Sequence, residues 1–143
     1  MNAVNAGIDE QLFTYLNESF RETSYYQLLG LELKLLGPGY IELEVRPNEQ
    51  HTNAMDLVHG GLIMSIGDAA MGNAIRSLGI KGVTVDCSVS FPGAARLGDT
   101  ITARAKVVKA GRSLIFAEAM VYANEQLLGQ CKGSFYKIGN IEF

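Results

Sequence analysis

The segment from Leu62 to Leu78 constrains the fold more than any other part of the chain. It contains no proline, is rich in Leu, Ile, Met and Ala, and is longer than a typical strand, so it predicts a helix. Leu62, Ile63, Met64, Ile66, Ala69, Ala70, Met71, Ala74, Ile75 and Leu78 leave that helix no broad polar face. A helix that is apolar nearly all round must be surrounded by other structure. Gly67 and Gly72 each cost it about 1 kcal/mol against alanine, which points to close packing at both positions. The only carboxylate in this setting is Asp68.

The rest of the chain supplies the surroundings. Asp9 to Phe20 reads as an amphipathic helix with Leu12, Phe13, Leu16 and Phe20 on one face, packed on the domain. Leu31 to Leu36 and Tyr40 to Val45 read as strands of a hairpin closed by Gly37-Pro38-Gly39, and Pro47 ends the second. Gly79 closes the central helix. Val83, Val85, Cys87, Val89 and Phe91 then alternate with Thr84, Asp86, Ser88 and Ser90, the period of a half-buried strand, which puts Thr84 on the Asp86 side. Ile101 to Val108, Leu114 to Tyr122 and Leu127 to Tyr136 complete the set. Helix, two strands, long helix and four strands predict an α+β fold, a long antiparallel β-sheet wrapped around the central apolar α-helix with an N-terminal helix. The 143 residues read as one domain spanning 1–143, large enough to fold without disulfides or metal.

Composition excludes several function classes. The formal charge is −3 and no polybasic run is present, so neither nucleic acid nor an acidic membrane surface is an expected partner. Met1 to Glu10 lacks the basic start of a secretory leader, and no apolar run reaches the roughly 18 residues of a membrane span, so the chain reads as cytoplasmic. Cys87 and Cys131 lack metal-ligand spacing and read as buried free thiols in strands. His51 and His59 lack the partners of a metal site. No GxSxG, Walker or dinucleotide glycine motif occurs. Gly129-Gln130-Cys131-Lys132-Gly133 imitates a nucleophile elbow, but no helix or histidine follows, and it reads as strand.

The chemistry concentrates around Asn53 to Asp68. His59-Gly60-Gly61 stands at the start of the central helix, where bare N–H groups and the helix dipole suit an oxygen that gains negative charge. Asp68 follows in the helix. His51-Thr52-Asn53-Ala54, His59-Gly60-Gly61-Leu62, Asp68, Gly82-Val83-Thr84-Val85-Asp86, Leu97-Gly98-Asp99 and Gly111-Arg112-Ser113-Leu114 occur in one order and spacing. In these pieces the chain resembles the hotdog-fold acyl-CoA thioesterases of the phenylacetate-degradation type, from about Leu28 to Lys137.

That resemblance implies hydrolysis of an acyl-CoA thioester to a carboxylic acid and free CoA, with no metal and no redox cofactor, CoA being part of the substrate. It implies a homo-oligomer, usually a tetramer of two dimers. Asp68 would be general base or direct nucleophile, Gly60 N–H the oxyanion donor, Asn53 a helper at the carbonyl, Thr84 an orienting hydroxyl and His59 a neighbour of the leaving thiolate. Arg96, Lys109 and Arg112, in or beside predicted turns, are candidates to hold the CoA phosphates, and Ser113 matches a hydroxyl of the family there. The chain departs from the family at Ala94, where proline is more usual, and at Ala69, where several relatives carry a polar neighbour of the acid.

Geometry points to the oligomer independently. Gly60 and Asp68 are eight residues apart, so a helix holds them about 12 Å from each other. One thioester can meet an oxyanion donor and a base only if the two come from different copies, which gives a dimer with two composite sites. A hydratase or dehydratase acting on an acyl thioester, and a non-enzymatic acyl-CoA binding module, are the alternative readings. The acyl group stays open among aryl-acetyl, hydroxylated aryl and medium or long fatty acyl. Tyr25, Tyr26, Leu28, Met64 and Phe91 either line its pocket or belong to the core.

Overall fold

In a computed structural model, which describes residues 2–143, the chain opens with a two-residue strand, β1 (Val4–Asn5). Helix α1 (Glu10–Glu22) follows, started by Asp9, whose Oδ1 accepts from the N–H groups of Gln11 and Leu12. Leu12, Leu16 and Phe20 recur every fourth residue and are buried in the core, with Phe13 half-buried beside them. A second helix, α2 (Ser24–Leu29), ends at Gly30, which takes the left-handed conformation. Strands β2 (Glu32–Gly37) and β3 (Tyr40–Val45) form the expected antiparallel hairpin. A single 3₁₀ turn at Glu49–His51 leads towards helix α3 (Gly60–Arg76). Strands β4 (Ile80–Ser90), β5 (Ile101–Ala110), β6 (Leu114–Ala123) and β7 (Gln126–Asn140) complete a sheet in the order β1-β2-β3-β5-β6-β7-β4.

The sheet curls around α3, which packs against β3, β4, β5, β6 and β7. Small inward residues make the close approach possible. Ala103 and Ala105 on β5 and Ala117 and Ala119 on β6 are buried under the helix. The Gly129 to Gly133 string on β7 is part of the same bed. A Cβ at Gly129 would stand 2.6 Å from Ile63 Cγ2, and one at Gly133 3.1 Å from Met71. From the opposite side, a Cβ at Gly67 would stand 2.5 Å from Cys131 Sγ. Close packing therefore accounts for Gly67, whereas Gly72 would make only an ordinary 3.8 Å contact with Phe135.

Four features differ from the sequence expectation. β1 pairs parallel to β2, so the sheet is mixed, and neither β1 nor α2 is announced by periodicity because each is shorter than the windows that reveal it. Within one chain α3 is not enclosed on all sides. Gly61, Ser65, Asp68 and Gly72 are only half-buried and Met64 is 45% exposed, forming one open stripe. Strand β4 lies at the sheet edge, with Val83 48% and Val85 59% exposed. Lastly, β4 does not keep one parity. Thr84 pairs with Phe135 and Asp86 with Ser134, so Val85 is an extra residue in a bulge.

Candidate active site

The approach to α3 is organised by side chains bonded to nearby backbone. Asn48 caps the 3₁₀ turn, and its N–H donates to His51 Nδ1 at 3.0 Å. His51 is buried, and its carbonyl accepts from His59 N–H at 2.7 Å. Asn53 Oδ1 accepts from the N–H groups of Met55 and Leu57 at 2.9 and 3.1 Å, closing a tight loop in which Asp56 has φ 59°. Asn53 Nδ2 makes no hydrogen bond among the described residues. Val58 N–H donates to Ala95 carbonyl at 2.8 Å, tying the loop to the segment after β4.

His59 is the N-cap of α3, with φ −64° and ψ 137°, and its Nδ1 accepts from Gly61 N–H at 2.8 Å. The first helical N–H, that of Gly60, has no acceptor among the described residues. The ring of Phe91 lies over it, close enough that a Cβ on Gly60 would meet Phe91 Cε1 at 3.2 Å. The positive end of α3 is thus an open donor with an aromatic cover.

Asp68 sits on the open stripe in the middle of α3. Thr84 Oγ1 donates to Asp68 Oδ1 at 2.9 Å, and Oδ2 makes no hydrogen bond among the described residues. The Val85 bulge makes this bond possible. Strict alternation would have sent Thr84 outward with Asp86, whereas the extra residue keeps Thr84 inward, opposite the buried Phe135. Burial chiefly, and then the carboxylates of Asp68 and Asp86, push the half-buried Cys87 thiol up. Burial, with Cys87 and Asp68 adding, pushes Cys131 up to about 12. The thiols nearest the acid therefore stay protonated and poorly nucleophilic.

On the other flank of Asp68, Tyr25 Oη and Ser65 Oγ are hydrogen-bonded at 2.7 Å. Tyr26 Oη accepts from Asn73 Nδ2 at 3.1 Å, and Arg76 donates to Asn73 Oδ1 at 3.2 Å and to Ser19 Oγ at 3.0 Å. Burial raises the Tyr26 hydroxyl, against the lowering effect of the Asn73 bond. Sequence reasoning had no signal for the Tyr25–Ser65 pair, because the two residues stand forty positions apart in the chain.

The four phosphate candidates are not gathered within one chain. Arg96 is exposed next to Ala95, at the Gly60 end of α3, and its N–H donates to Asp99 Oδ2 at 2.9 Å. Lys109, Arg112 and Ser113 are exposed at the β5–β6 turn. That turn adjoins the row Leu114–Tyr136–Val83, next to the row that holds Thr84. No group of three or more His, Cys, Asp or Glu among the described residues could hold a metal ion, and no helix among them is long and apolar enough to cross a membrane.

Known proteins share this architecture. Over 114 residues the chain is 32% identical to acyl-coenzyme A thioesterase 13 of Homo sapiens, covering 72% of this chain and 81% of the human protein. The structure of zebra fish thioesterase superfamily member 2 superposes with a TM-score of 0.77 at 28% identity, covering 86% of this chain and 93% of that one. The E. coli PaaI protein from the phenylacetic acid degradation operon shares the fold, with a TM-score of 0.88 at 22% identity over 95% of this chain and 100% of that one. The thioesterase superfamily profile matches residues 55–130. With its sheet curled around a central helix, the chain has the hotdog fold and belongs to the thioesterase superfamily.

Proposed function

We propose that this protein is an acyl-CoA thioesterase that hydrolyses an acyl-CoA to a carboxylic acid and CoA, as the name of its human relative suggests. One observation carries the reading. A carboxylate with one oxygen held by Thr84 and the other unbonded, and a helix-start N–H with no acceptor, stand on a single helix but too far apart to serve one carbonyl.

A second copy resolves the separation. The free edge of β4, with Val83 and Val85 exposed, is suited to antiparallel pairing with the same strand of another copy about a two-fold axis. The homodimer then sets Asp68 of one protomer against Gly60 of its partner, twice. The same pairing joins Arg96, near Gly60, with Lys109, Arg112 and Ser113 of the other protomer around one CoA. Exposed Val108, Phe116, Tyr136 and Ile138 support further association of two dimers into a homotetramer.

In each composite site, the thioester carbonyl accepts from Gly60 N–H and Asn53 Nδ2. Asp68 takes a proton from water as the water oxygen bonds to the carbonyl carbon, and the tetrahedral intermediate collapses with rupture of the carbon–sulfur bond; alternatively the Asp68 oxygen bonds to that carbon, the carbon–sulfur bond breaks to leave an anhydride, and water then opens the anhydride. In either route the CoA thiolate departs past His59, whose Nδ1 accepts from Gly61 N–H and leaves Nε2 as the ring's donor. No step calls on a metal or a redox cofactor.

The test is release of free thiol from a panel of acyl-CoAs, with sedimentation of the same samples. Asp68→Asn is expected to lower turnover roughly 10²–10⁴-fold. Turnover by Asp68→Asn within a few-fold of the unsubstituted protein, or full activity from a monomer, would sink the proposal.

A further inference from the structure

We infer that Tyr25 is the wall that sets the length of the acyl group, and that this group is uncharged and apolar; the inference rests on the proposed hydrolysis at Asp68. At about 100° per residue, Ser65 lies some 60° to one side of Asp68 around α3, while Met71 and Gly67 lie about 60–100° to the other. Gly67 and Met71 face β7, as their contacts with Cys131 and Gly133 show. Asp68 therefore lies in a trough between the sheet edge and α2.

Helix α2 is fixed to this trough on both sides of the acid. Tyr25 bonds Ser65 three residues before Asp68, and Tyr26 bonds Asn73 five residues after it. Tyr26 also packs on the buried Phe20 of α1, with ring centroids 4.6 Å apart. The result is a rigid wall rather than a flap.

The wall's surface is hydrocarbon. Tyr25 and Leu28 share a face of α2 at a spacing of three residues, and they are 51% and 73% exposed. Met64 is exposed on the same stripe of α3 as Asp68, about one turn before it. The Tyr25 hydroxyl is occupied by Ser65, so the phenol ring presents its apolar faces. Beyond Asp68 in the other direction, Gly72 carries no side chain and leaves the floor open. A charged acyl terminus would meet no partner on this wall and would lose its hydration. Of the residues that sequence left between pocket and core, Tyr25, Leu28 and Met64 are thus assigned to the pocket.

The experiment compares kcat/KM over straight-chain acyl-CoAs from butyryl to palmitoyl, with succinyl-CoA as the charged comparison. Tyr25→Ala is expected to raise the ratio of longer to shorter chains about tenfold or more, and Tyr25→Phe, which keeps the bulk, to move it less. Leu28→Trp, at an exposed position, is expected to shift preference towards shorter chains. A ratio that stays within about threefold in both Tyr25→Ala and Leu28→Trp, or succinyl-CoA turned over as well as butyryl-CoA, overturns the inference. If those results come from a protein whose hydrolysis still requires Asp68, the assignment of Asp68 survives. Absence of hydrolysis by the unsubstituted protein with every acyl-CoA overturns both.

Discussion

Replacing Gly60 by proline deletes one N–H at the point where the proposed oxyanion is held and disturbs little else. Gly60 is the first residue of α3, the helical position that proline tolerates best because its N–H has no intrahelical partner. His59 already has φ −64° and ψ 137°, within the extended region that a following proline demands. The cost in packing is the new Cβ against Phe91 Cε1 at 3.2 Å, and Phe91 lies half exposed, so its ring can give by a few tenths of an ångström. Gly60→Ala makes the same contact and keeps the N–H. Loss of one oxyanion donor is worth about 2.7–4 kcal/mol, or roughly 10²–10³ in kcat. Gly60→Pro is therefore expected to lose at least about a hundredfold in kcat relative to Gly60→Ala, with both proteins melting close to the unsubstituted one. Steady-state thiol release gives kcat, and circular dichroism gives the melt. Equal kcat in the proline and alanine variants would refute the role of this N–H, whatever their common loss.

Thr84→Val removes the hydroxyl that holds Asp68 Oδ1 and keeps the strand's shape; at this exposed position it is expected to lower kcat about five- to tenfold while Thr84→Ser stays near unsubstituted activity, and equal losses in both would refute a role for the bond. Gly67→Ala drives a methyl to 2.5 Å from Cys131 Sγ, an overpacking worth about 1–3 kcal/mol that outweighs the helix-propensity gain of about 1; urea denaturation is expected to show Cys131→Ala recovering much of the loss, and additive effects would refute the contact. The Cys131 thiol is raised to about 12 in the folded chain, so between about 9 and 12 the unfolded chain loses a proton that the folded one keeps. Stability is present in full below that window and falls through it by up to about 1.4 kcal/mol per pH unit, a slope that Cys131→Ala is expected to lessen and that would be unchanged if burial of this thiol were not the cause.

The parts of the fold that sequence revealed are those set by long segments with clear composition, spacing or turn boundaries. Leu12, Leu16 and Phe20 marked α1, the content and length of the run from Leu62 marked α3, and segments separated by turn signals marked β5, β6 and most of β7. Single-residue events were not visible. The Val85 bulge reverses the parity of β4 without any glycine or proline to announce it, so alternation placed Thr84 on the wrong face. The same limit applies at the helix start. The string His59-Gly60-Gly61 marked the helix start, but only geometry shows His59 Nδ1 occupying Gly61 N–H and leaving Gly60 N–H open. Likewise Asn53 reads as one polar residue, whereas its Oδ1 is committed to the loop and only Nδ2 is free to meet a ligand.

Asp68 and Gly60 lie on the same helix, and the proposed completion of each by the neighbouring copy has a genetic consequence. Two chains, each dead on its own, are expected to rescue one another when their subunits are mixed. In a pair made from a Gly60→Pro chain and an Asp68→Asn chain, one centre inherits both defects and the other inherits neither. Free exchange at equal amounts makes half of all pairs hybrid, which restores about a quarter of the centres. An organism carrying the two damaged alleles together would regain hydrolysis that neither allele provides alone.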